Sequence, residues 1–324
     1  MFHLRLIVPA DRSAAVRDLL LAEPGATHLV VWPSAAVQPA GDVIACDLAR
    51  EATNAVLAEL RALDLHKDGS IALEDLDVML SRSADRAERD APGDSADSVV
   101  WEEIEGATSE ESALSVTFLA FLAVATMIAA CGVLLDNPIL IVGAMVVGPE
   151  FGPLAGLCVA AVQCRPRLAA RSALALLVGF PVAMAATIAF TTLLDSLGLF
   201  DRDMLERSRP LTEFIFQPDW LSFWVALLAG VAGMLSLTSA KSGALIGVLI
   251  SVTTVPAAAN AAVAIRYTDY AQAAGSLGQL GLNLGGIVFA GTLTLLVQRG
   301  LWGLQAAHAK RRPPSPSTGA AKSS

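Results

Sequence analysis

Residues 143–157 read GAMVVGPEFGPLAGL, and this stretch decides the fold of the chain. The sequence around it is almost entirely apolar, yet the stretch holds Pro149 and Pro153 with a carboxylate, Glu150, between them. Glycine recurs at every fourth position, at Gly148, Gly152 and Gly156. Because proline removes a backbone donor and interrupts a helix, the stretch predicts a broken helix inside an apolar segment, with an acid at the break.

The overall composition indicates a membrane protein. Of the 324 residues, 54% are hydrophobic and 16% are charged, whereas soluble domains carry about 25% charged residues. Residues 1–112 have a net charge of −13, and residues 113–324 have a net charge of +4. An acidic first part argues against binding to nucleic acid or to an anionic membrane surface. It favours a solvated cytosolic surface over a site for a specific cationic partner.

Residues 1–80 predict a small soluble domain. In FHLRLIVP, Phe2, Leu4, Leu6 and Val8 alternate with polar positions, as in a half-buried strand. An amphipathic helix, two strands, a second amphipathic helix and a last strand follow. The order βαββαβ is that of the α+β ferredoxin-like arrangement, a fold that serves many functions. The N-terminus lacks the features of a signal peptide, so the domain is expected to be cytoplasmic.

Residues 81–112 predict an acidic linker and an interfacial helix. Residues 81–97 are polar and lack periodicity, as in a linker. Val100 and Ile104 stand at helical spacing beside Trp101, which fits a short helix at the membrane surface or a plain connector equally well. At the other end of the chain, residues 301–324 form a basic tail, rich in proline and serine, that is predicted to be disordered.

Residues 113–300 predict an α-helical polytopic membrane domain. A spanning helix needs about 20 apolar residues, and about six segments meet this requirement: 113–135, 138–164, 168–194, 220–240, 242–265 and 277–298. The gaps after the first and fourth segments are short enough to require tight turns. Asp136 and Lys241 lie at these turns and are interpreted as interfacial caps rather than gates.

The distribution of basic residues predicts an orientation. With a cytoplasmic N-terminus, nine basic residues fall inside: Arg165, Arg167, Arg171, Lys241, Arg299, Lys310, Arg311, Arg312 and Lys322. Four fall outside: Arg202, Arg207, Arg209 and Arg266. This excess of positive charge inside favours an even number of spans with both termini in the cytoplasm. The expected location is a bacterial plasma membrane, with the loop 195–219 on the external side.

Two apolar segments suggest an internal repeat. LIVGAMVVGPEFGPLAGLCVAA aligns with ALIGVLISVTTVPAAANAAVA, so that Gly143 falls on Gly247 and Pro153 falls near Pro256 with a slip of one residue. Each segment is the middle span of a set of three, over residues 113–197 and 219–299. Because three is odd, the second set enters the membrane from the opposite side, which is the inverted-repeat pattern of many secondary transporters.

The same segments resemble a known family. NPILIVGAMVVGPEFGPLAGLCVA, the arginine loop after it and SGALIGVLISVTTVPAAANAAVA are similar to the bacterial uncharacterised hydrophobic-domain membrane family called domain of unknown function 389. The matching residues are Gly143, Ala144, Met145, Pro149, Gly152, Pro153, Val255 and Pro256. The resemblance covers roughly residues 114–300. Glu150 departs from it, because the family position is usually apolar. The resemblance implies an architecture and no settled reaction.

Glu150 is the main candidate for a functional group. A charged carboxylate inside a span costs several kcal/mol, so it is expected to be protonated, paired or in a wet cavity. It is either a proton- or cation-binding group or a neutral acid hydrogen-bonded between helices, and the sequence leaves both possibilities open. The predicted substrate or ion path comprises Glu150, Pro149, Gly152, Pro153, Thr253, Thr254, Pro256, Asn260 and Asn283. The last five could face Glu150, or they could form hydrogen bonds between helices without any role in transport.

Small residues predict where helices approach each other closely. Packing is predicted at Gly148, Gly152, Gly156, Gly243 and Gly247. Further glycines, at Gly281 and Gly285, leave more small-residue faces than one chain is expected to bury. The predicted partners are therefore membrane lipid and further copies of this chain in a homo-oligomer, together with a small solute or ion of unknown identity.

Two classes of function remain. The first is a transporter or channel for a small solute or ion, and the alternative is a non-transporting sensor or scaffold whose soluble domain recognises a ligand or partner. The chain lacks a phosphate loop, a nucleotide fingerprint and a nucleophile elbow, which disfavours an enzyme or an ATP-driven pump. Neither the four cysteines nor the four histidines have metal-ligand spacing, so no metal and no cofactor is expected.

Overall fold

The computed structural model describes residues 1–76, 78–91, 100–212, 215, 220–239 and 253–309. The chain divides into two compact units. The first comprises Met1–Trp101 together with the chain from Arg299 onward, and the second comprises Glu102–Gln298.

The first unit is built on a small antiparallel sheet. Its elements follow in the order β1 (Phe2–Val8), α1 (Ser13–Ala22), β2 (Ala26–Val37), β3 (Ala40–Leu48), α2 (Arg50–Ala62), α3 (Leu65–Asp68) and β4 (Ser70–Asp75). The strands pair in the order β2-β3-β1-β4, and every pairing is antiparallel. Apart from the one-turn helix α3, this is the predicted βαββαβ order. The alternating apolar residues of β1 are all buried against α1 and α2 residues such as Val16 and Leu60.

A further helix, α4 (Arg82–Asp90), belongs to the first unit and lies within the segment interpreted as a linker. Its two buried side chains, Ala84 and Ala87, are too small to produce a visible apolar stripe. Hydroxyls before and within the helix tie it to strand β2, because Ser81 Oγ and Ser83 Oγ lie 2.8 and 2.7 Å from Nε2 of His28. The compact unit therefore extends to Trp101, beyond the predicted boundary at residue 80.

The second unit is a bundle of helices. In chain order they are α5 (Trp101–Glu111), α6 (Val116–Leu134), α7 (Pro138–Val147), α8 (Phe151–Gln163), α9 (Pro166–Ser196), α10 (Arg202–Glu206), α11 (Trp220–Thr238), α12 (Thr254–Arg266) and α13 (Tyr270–Ala309). The short helix predicted after residue 100 is present as α5, although the structure shows no membrane against which to place it.

Four of these helices are long and apolar enough to cross a membrane, namely α6, α9, α11 and most of α13. Helices α7 and α8 meet this test only together and are bent by 53° at the break between them, so they make a fifth crossing if they form one span. The first half of the predicted fifth span, like Lys241, Gly243 and Gly247, lies outside the described residues. The apolar helices indicate a membrane-embedded protein, and a total of six spans stays a prediction.

Two pairs of helices have equal lengths in the two predicted repeats, whereas the third helices, α9 and α13, have 31 and 40 residues. Helices α6 and α11 each have 19 residues, and α8 and α12 each have 13. Proline is the third residue of both shorter helices, at Pro153 and Pro256. The one-residue slip in the sequence alignment disappears when the helix starts are used as the reference. These matches support a repeat, whereas its inversion across a membrane stays a prediction.

Helix α12 lies at the centre of the bundle. All eleven side chains from Thr254 to Ala264 are buried, and most of them are alanine. A helix can be buried on every face only if its side chains leave room for neighbours on all sides, which explains this composition. The surrounding core includes Leu122 of α6, Ala144 of α7 and Phe180 of α9.

Close packing of α11 on α13 depends on Gly230. A Cβ at this position would lie 2.7 Å from the carbonyl oxygen of Ile287 and 3.0 Å from Cβ of Ala290. By contrast, Gly278 of α13 has no described atom within 4 Å of its Cβ position, and the same holds for Gly281 and Gly285. The predicted glycine face of α13 is thus open in the single chain.

We expect Gly230→Ala to destabilise the bundle by about 1–3 kcal/mol, because the added methyl group forces two helix backbones apart. The matched change Gly278→Ala should leave stability unchanged or raise it by up to about 1 kcal/mol, since alanine is the better helix former. Unfolding in detergent, followed by circular dichroism, measures both. Equal effects of the two changes would contradict the close approach at Gly230.

Candidate functional site

The site begins at the break between α7 and α8. Gly148 and Pro149 separate the two helices, and Glu150 is the residue before the first residue of α8. Pro149 has no backbone N–H, so the hydrogen-bonded ladder of α7 cannot continue through it. Pro153 stands in the first turn of α8, where its missing N–H leaves no intrahelical bond unmade. The sequence therefore fixes both the end of α7 and the start of α8.

Glu150 joins the starts of two half-helices. Its side chain is only 4% exposed, and its Oε1 accepts a hydrogen bond of 2.7 Å from Oγ1 of Thr254. Thr254 is the first residue of α12, and Glu150 directly precedes α8. The N-termini of both 13-residue helices thus converge on this contact. Each N-terminus presents backbone N–H groups without intrahelical partners and the positive end of its helix dipole.

The second carboxyl oxygen of Glu150 is unsatisfied. Oε2 is buried and has no hydrogen-bond partner among the described residues. It lies against Gly148, where a Cβ would collide with it and would also lie 2.8 Å from Cγ2 of Val255. Burying a polar oxygen without a donor costs free energy of about 1–3 kcal/mol. The site therefore holds an acid with one oxygen available for a proton or for a donor that the described residues do not supply.

The other two glycines of the stripe contact side chains of α5 and α9. A Cβ at Gly152 would lie 2.8 Å from the Glu111 carboxylate, and one at Gly156 would collide with the hydroxyls of Ser112 and Ser172. Oγ of Ser172 donates to Oγ of Ser112 over 3.0 Å. All three predicted packing glycines at this break are therefore places of close approach, and Gly152 and Gly156 allow the start of α8 to pack against the end of α5.

Glu111 is the ionisable group that faces the start of α8 from α5. Burial raises the pKa of Glu111 above its ordinary value, and the charge of neighbouring Glu110 raises it further. Its carboxylate packs on Gly152, two residues after Glu150. Apart from Glu150, the helices α7, α8 and α12 carry no acid, and their only other ionisable residues are Cys158 and the terminal Arg266.

The polar residues of α12 and α13 form two groups. In the first, Nδ2 of Asn283 donates to Oγ1 of Thr253 over 2.8 Å, next to the contact of Thr254 with Glu150. In the second, Asn260 donates to Oγ of Ser276 over 2.7 Å. The predicted path residue Asn260 thus contacts α13. The predicted residue Pro256 is buried in the first turn of α12.

Arg209 completes the second group. Its side chain is 5% exposed, and its guanidinium donates to Oδ1 of Asn260 over 3.2 Å. Burial lowers the pKa of Arg209, whereas the charges of Asp136 and Asp269 act to raise it. Because an arginine pKa lies far above neutral pH, the group stays charged. Asp136 also accepts a hydrogen bond of 2.9 Å from Oγ1 of Thr212, which fixes the loop that carries Arg209.

A polar cavity of about 320 Å³ lies beside Arg209. Its lining comes from the loop around α10 and from the start of α13: Leu205, Glu206, Arg207, Ser208, Arg209, Asp269 and Gln272. The carboxamides of Gln272 and Asn260 lie 3.1 Å apart, so the wall of the cavity leads to the buried polar group. In the part of the chain that the structure describes, no three His, Cys, Asp or Glu side chains are placed to hold a metal ion.

Sequence reasoning missed four of these polar residues, namely Arg209, Gln272, Ser276 and Gln279. The last three precede Asn283 at intervals of four, three and four residues, which is the spacing of one helix face. The predicted sixth span began at residue 277, whereas α13 begins at Tyr270, so two of the polar residues were assigned to the loop. Nothing in the sequence indicates that Arg209 turns inward.

We expect Thr254→Val to destabilise the protein by about 1–3 kcal/mol, because it leaves Oε1 of Glu150 buried without a donor. Thr254→Ser keeps the hydroxyl and should cost clearly less. Unfolding in detergent compares the two variants with the wild type. A serine variant as unstable as the valine variant would show that the threonine methyl group, rather than the hydrogen bond, stabilises this junction.

The part of the chain that holds this site is similar to a known family. Residues 145–289 match the family model described as Domain of unknown function (DUF389). The matched range includes Glu150, Thr254 and Asn283. No curated protein and no solved structure matched the chain. This match agrees with the resemblance of the two apolar segments to that family.

Proposed function

We propose that this protein transports a small solute or ion across a membrane, with its central site at the junction of α8 and α12. The observation that carries the proposal is the buried contact between Glu150 and Thr254, where the N-termini of two half-helices converge. In many secondary transporters the substrate and the coupling ion bind where discontinuous helices meet inside the membrane domain.

The energetic cost of Glu150 supports a functional role. The acid is nearly fully buried within an apolar bundle, and one of its oxygens has no partner within the described ranges. Ionisable groups in such surroundings are expensive and mark ion paths or proton relays in membrane proteins. A glutamine or leucine would fill the same space at lower cost. We infer that Glu150 takes up and releases a proton during transport.

The proposed architecture is a pair of inverted three-helix repeats. The equal lengths of α6 and α11, the equal lengths of α8 and α12, and the proline in the third position of both half-helices support a repeat. In the inverted arrangement, α8 runs from the junction towards the cytoplasm and α12 runs towards the outside. The two positive helix ends then meet at Glu150 from opposite directions.

The proposed orientation places both termini in the cytoplasm and the loop around α10 outside. The chain offers a matched pair of positions for a test, because Cys164 is an exposed thiol at the turn between α8 and α9, and Ser208 is exposed beside α10. We expect an impermeant thiol reagent to label Ser208→Cys in intact cells. Cys164 should be labelled only after the cells are opened. Labelling of Cys164 in intact cells would contradict this orientation.

We expect Glu150→Gln to abolish the pH dependence of transport while leaving folding intact, because glutamine keeps the shape and the acceptor oxygen but cannot titrate. Transport is measured as the flux of a panel of small ions and solutes in liposomes. Each pH unit changes the protonated fraction of an acid by up to about tenfold, so the wild-type rate should change by a comparable factor. Glu59→Gln changes an exposed acid on α2 and serves as the control.

Two outcomes would contradict the proposal in different ways. A variant with unchanged pH dependence would make Glu150 a structural acid hydrogen-bonded between helices. A wild-type protein without flux of any tested ion or solute would favour the alternative function, a membrane sensor or scaffold whose soluble unit recognises a ligand or partner.

A further inference from the structure

We propose that a ladder of buried polar side chains, running from the cavity beside Arg209 to Glu150, is the external route by which water carries protons to that acid. The proposal rests on the proposed function, in which Glu150 is the proton-coupling group of a transporter. The polar ladder comprises Arg209, Gln272, Asn260, Ser276, Gln279, Asn283, Thr253 and Thr254.

The ladder has a regular geometry. Its α13 residues share one face of the helix, because they stand at intervals of four, three and four positions. They face α12, whose Asn260 and Thr253 lie seven residues, or two helical turns, apart. Helix α13 thus places a polar group opposite α12 at each turn between the outer cavity and the junction of the half-helices.

Hydrogen bonds connect the members of the ladder in two groups, and Ser276 and Gln279, at the boundary between the groups, are neighbours on the same face of α13. From the outer end, Arg209 donates to Asn260 over 3.2 Å, and Asn260 donates to Ser276 over 2.7 Å. Further in, Gln279 donates to Oδ1 of Asn283 over 3.3 Å, and Asn283 donates to Thr253 over 2.8 Å. Thr254, the next residue in the chain, donates to Glu150.

The ladder side chains are polar although they are buried, which indicates that their polarity has a function. Ser276 and Asn260 are fully buried, and Gln279 and Asn283 are 1% and 2% exposed. Polar side chains in such a place cost free energy unless every group is bonded, and an apolar face would pack α13 on α12 equally well. Two oxygens along the route have no partner among the described residues, Oε1 of Gln279 and Oε2 of Glu150. Both are acceptors, and buried water is the usual donor to such groups.

The outer end of the ladder is open to a proton carried by water. The cavity of about 320 Å³ reaches Gln272 and Arg209. The charge of Arg209 is offset by the carboxylates of Asp136 and Asp269, so this end does not present a net positive charge to an incoming hydronium ion. Arg209, which lines the cavity, donates directly to Asn260, so the cavity adjoins the first inner member of the ladder.

The close spacing of the ladder side chains determines which species can pass along the route. Within each of the two groups, the hydrogen-bonded members lie 2.7–3.3 Å apart. A solute larger than water could pass only if α12 and α13 moved apart. Water can enter by small movements of the amide side chains, and a chain of waters is sufficient to move a proton. The ladder therefore serves the proton, and the transported solute reaches the junction by another path.

Accessibility to a small hydrophilic thiol reagent tests the route. In a chain whose Cys131, Cys158 and Cys164 are replaced by alanine, Ser276→Cys and Gln279→Cys are exposed to the reagent from outside. The control is Thr187→Cys, because Thr187 is an equally buried hydroxyl of α9 that bonds to Thr126 over 2.9 Å away from the ladder. Since a thiol reacts only where water lets it ionise, both ladder cysteines should react at least about tenfold faster than the control. Rates equal to the control would overturn the proposal.

The side from which Glu150 exchanges its proton provides a second measurement. In proteoliposomes of one orientation, the infrared signal of the protonated carboxyl group is identified by its loss in Glu150→Gln. The signal should disappear when the external pH is raised at constant internal pH. A response to the internal pH alone would refute an external route.

The failure of this route can be distinguished from failure of the transport proposal. Reactive ladder cysteines in a protein without any flux would refute transport while keeping a water-filled external path. Unreactive ladder cysteines together with flux that depends on Glu150 would refute the ladder while keeping transport.

Discussion

The hydrogen bond between Glu150 and Thr254 is the constraint on which the rest of the bundle depends. It joins the starts of two short helices, and both starts must be buried for the bond to form. A helix start exposes N–H groups that need partners, so each junction residue must be polar or lie beside something polar. Proline lowers the number of donors that need a partner, because it has no backbone N–H. One proline lies before α8, one inside α8 and one inside α12. The same residues that break the helices thus limit the cost of burying the break.

Close packing follows from this arrangement. Because α12 is surrounded, nearly all of its side chains are small. Because α8 starts against α5, the side chains at positions 152 and 156 cannot be larger than hydrogen without displacing Glu111 or the paired serines. The apolar residues are placed mainly on the outer helices, where many of them, such as Phe121, Leu177 and Trp224, are exposed in the single chain. The central helix α12 therefore carries mainly small residues, while many large apolar side chains of the outer helices are exposed, as expected for a protein surrounded by lipid.

The sequence predicted those features that depend on local chemistry. The alternation in FHLRLIVP marks the central strand of the first unit, and Pro149 marks the break between α7 and α8 because a proline acts on its own neighbours. Features that depend on distant contacts escaped prediction. Helix α4 is held by alanines and by hydroxyls that reach His28, so its polar sequence resembles a linker.

Asn260 lies about 10 Å along α12 from Thr253 at 1.5 Å per residue, which places it beside Arg209 and Ser276 rather than Glu150. The inward position of Arg209 depends on Asp136, 73 positions earlier in the chain.

The dimensions of α12 have a consequence for how the protein is made. A helix of 13 residues is about 20 Å long, which is well short of the 30 Å hydrocarbon core of a bilayer. The alanine-rich surface of α12 gains little free energy from contact with lipid, and exposing its asparagine to lipid would cost free energy. Such a segment has no stable place in a membrane before the helices that enclose it are present. The order of synthesis releases α6, α7, α8 and α9 before α12, whereas α13 emerges after it. We therefore expect α12 to depend on a sheltered environment during biogenesis until α13 packs against it.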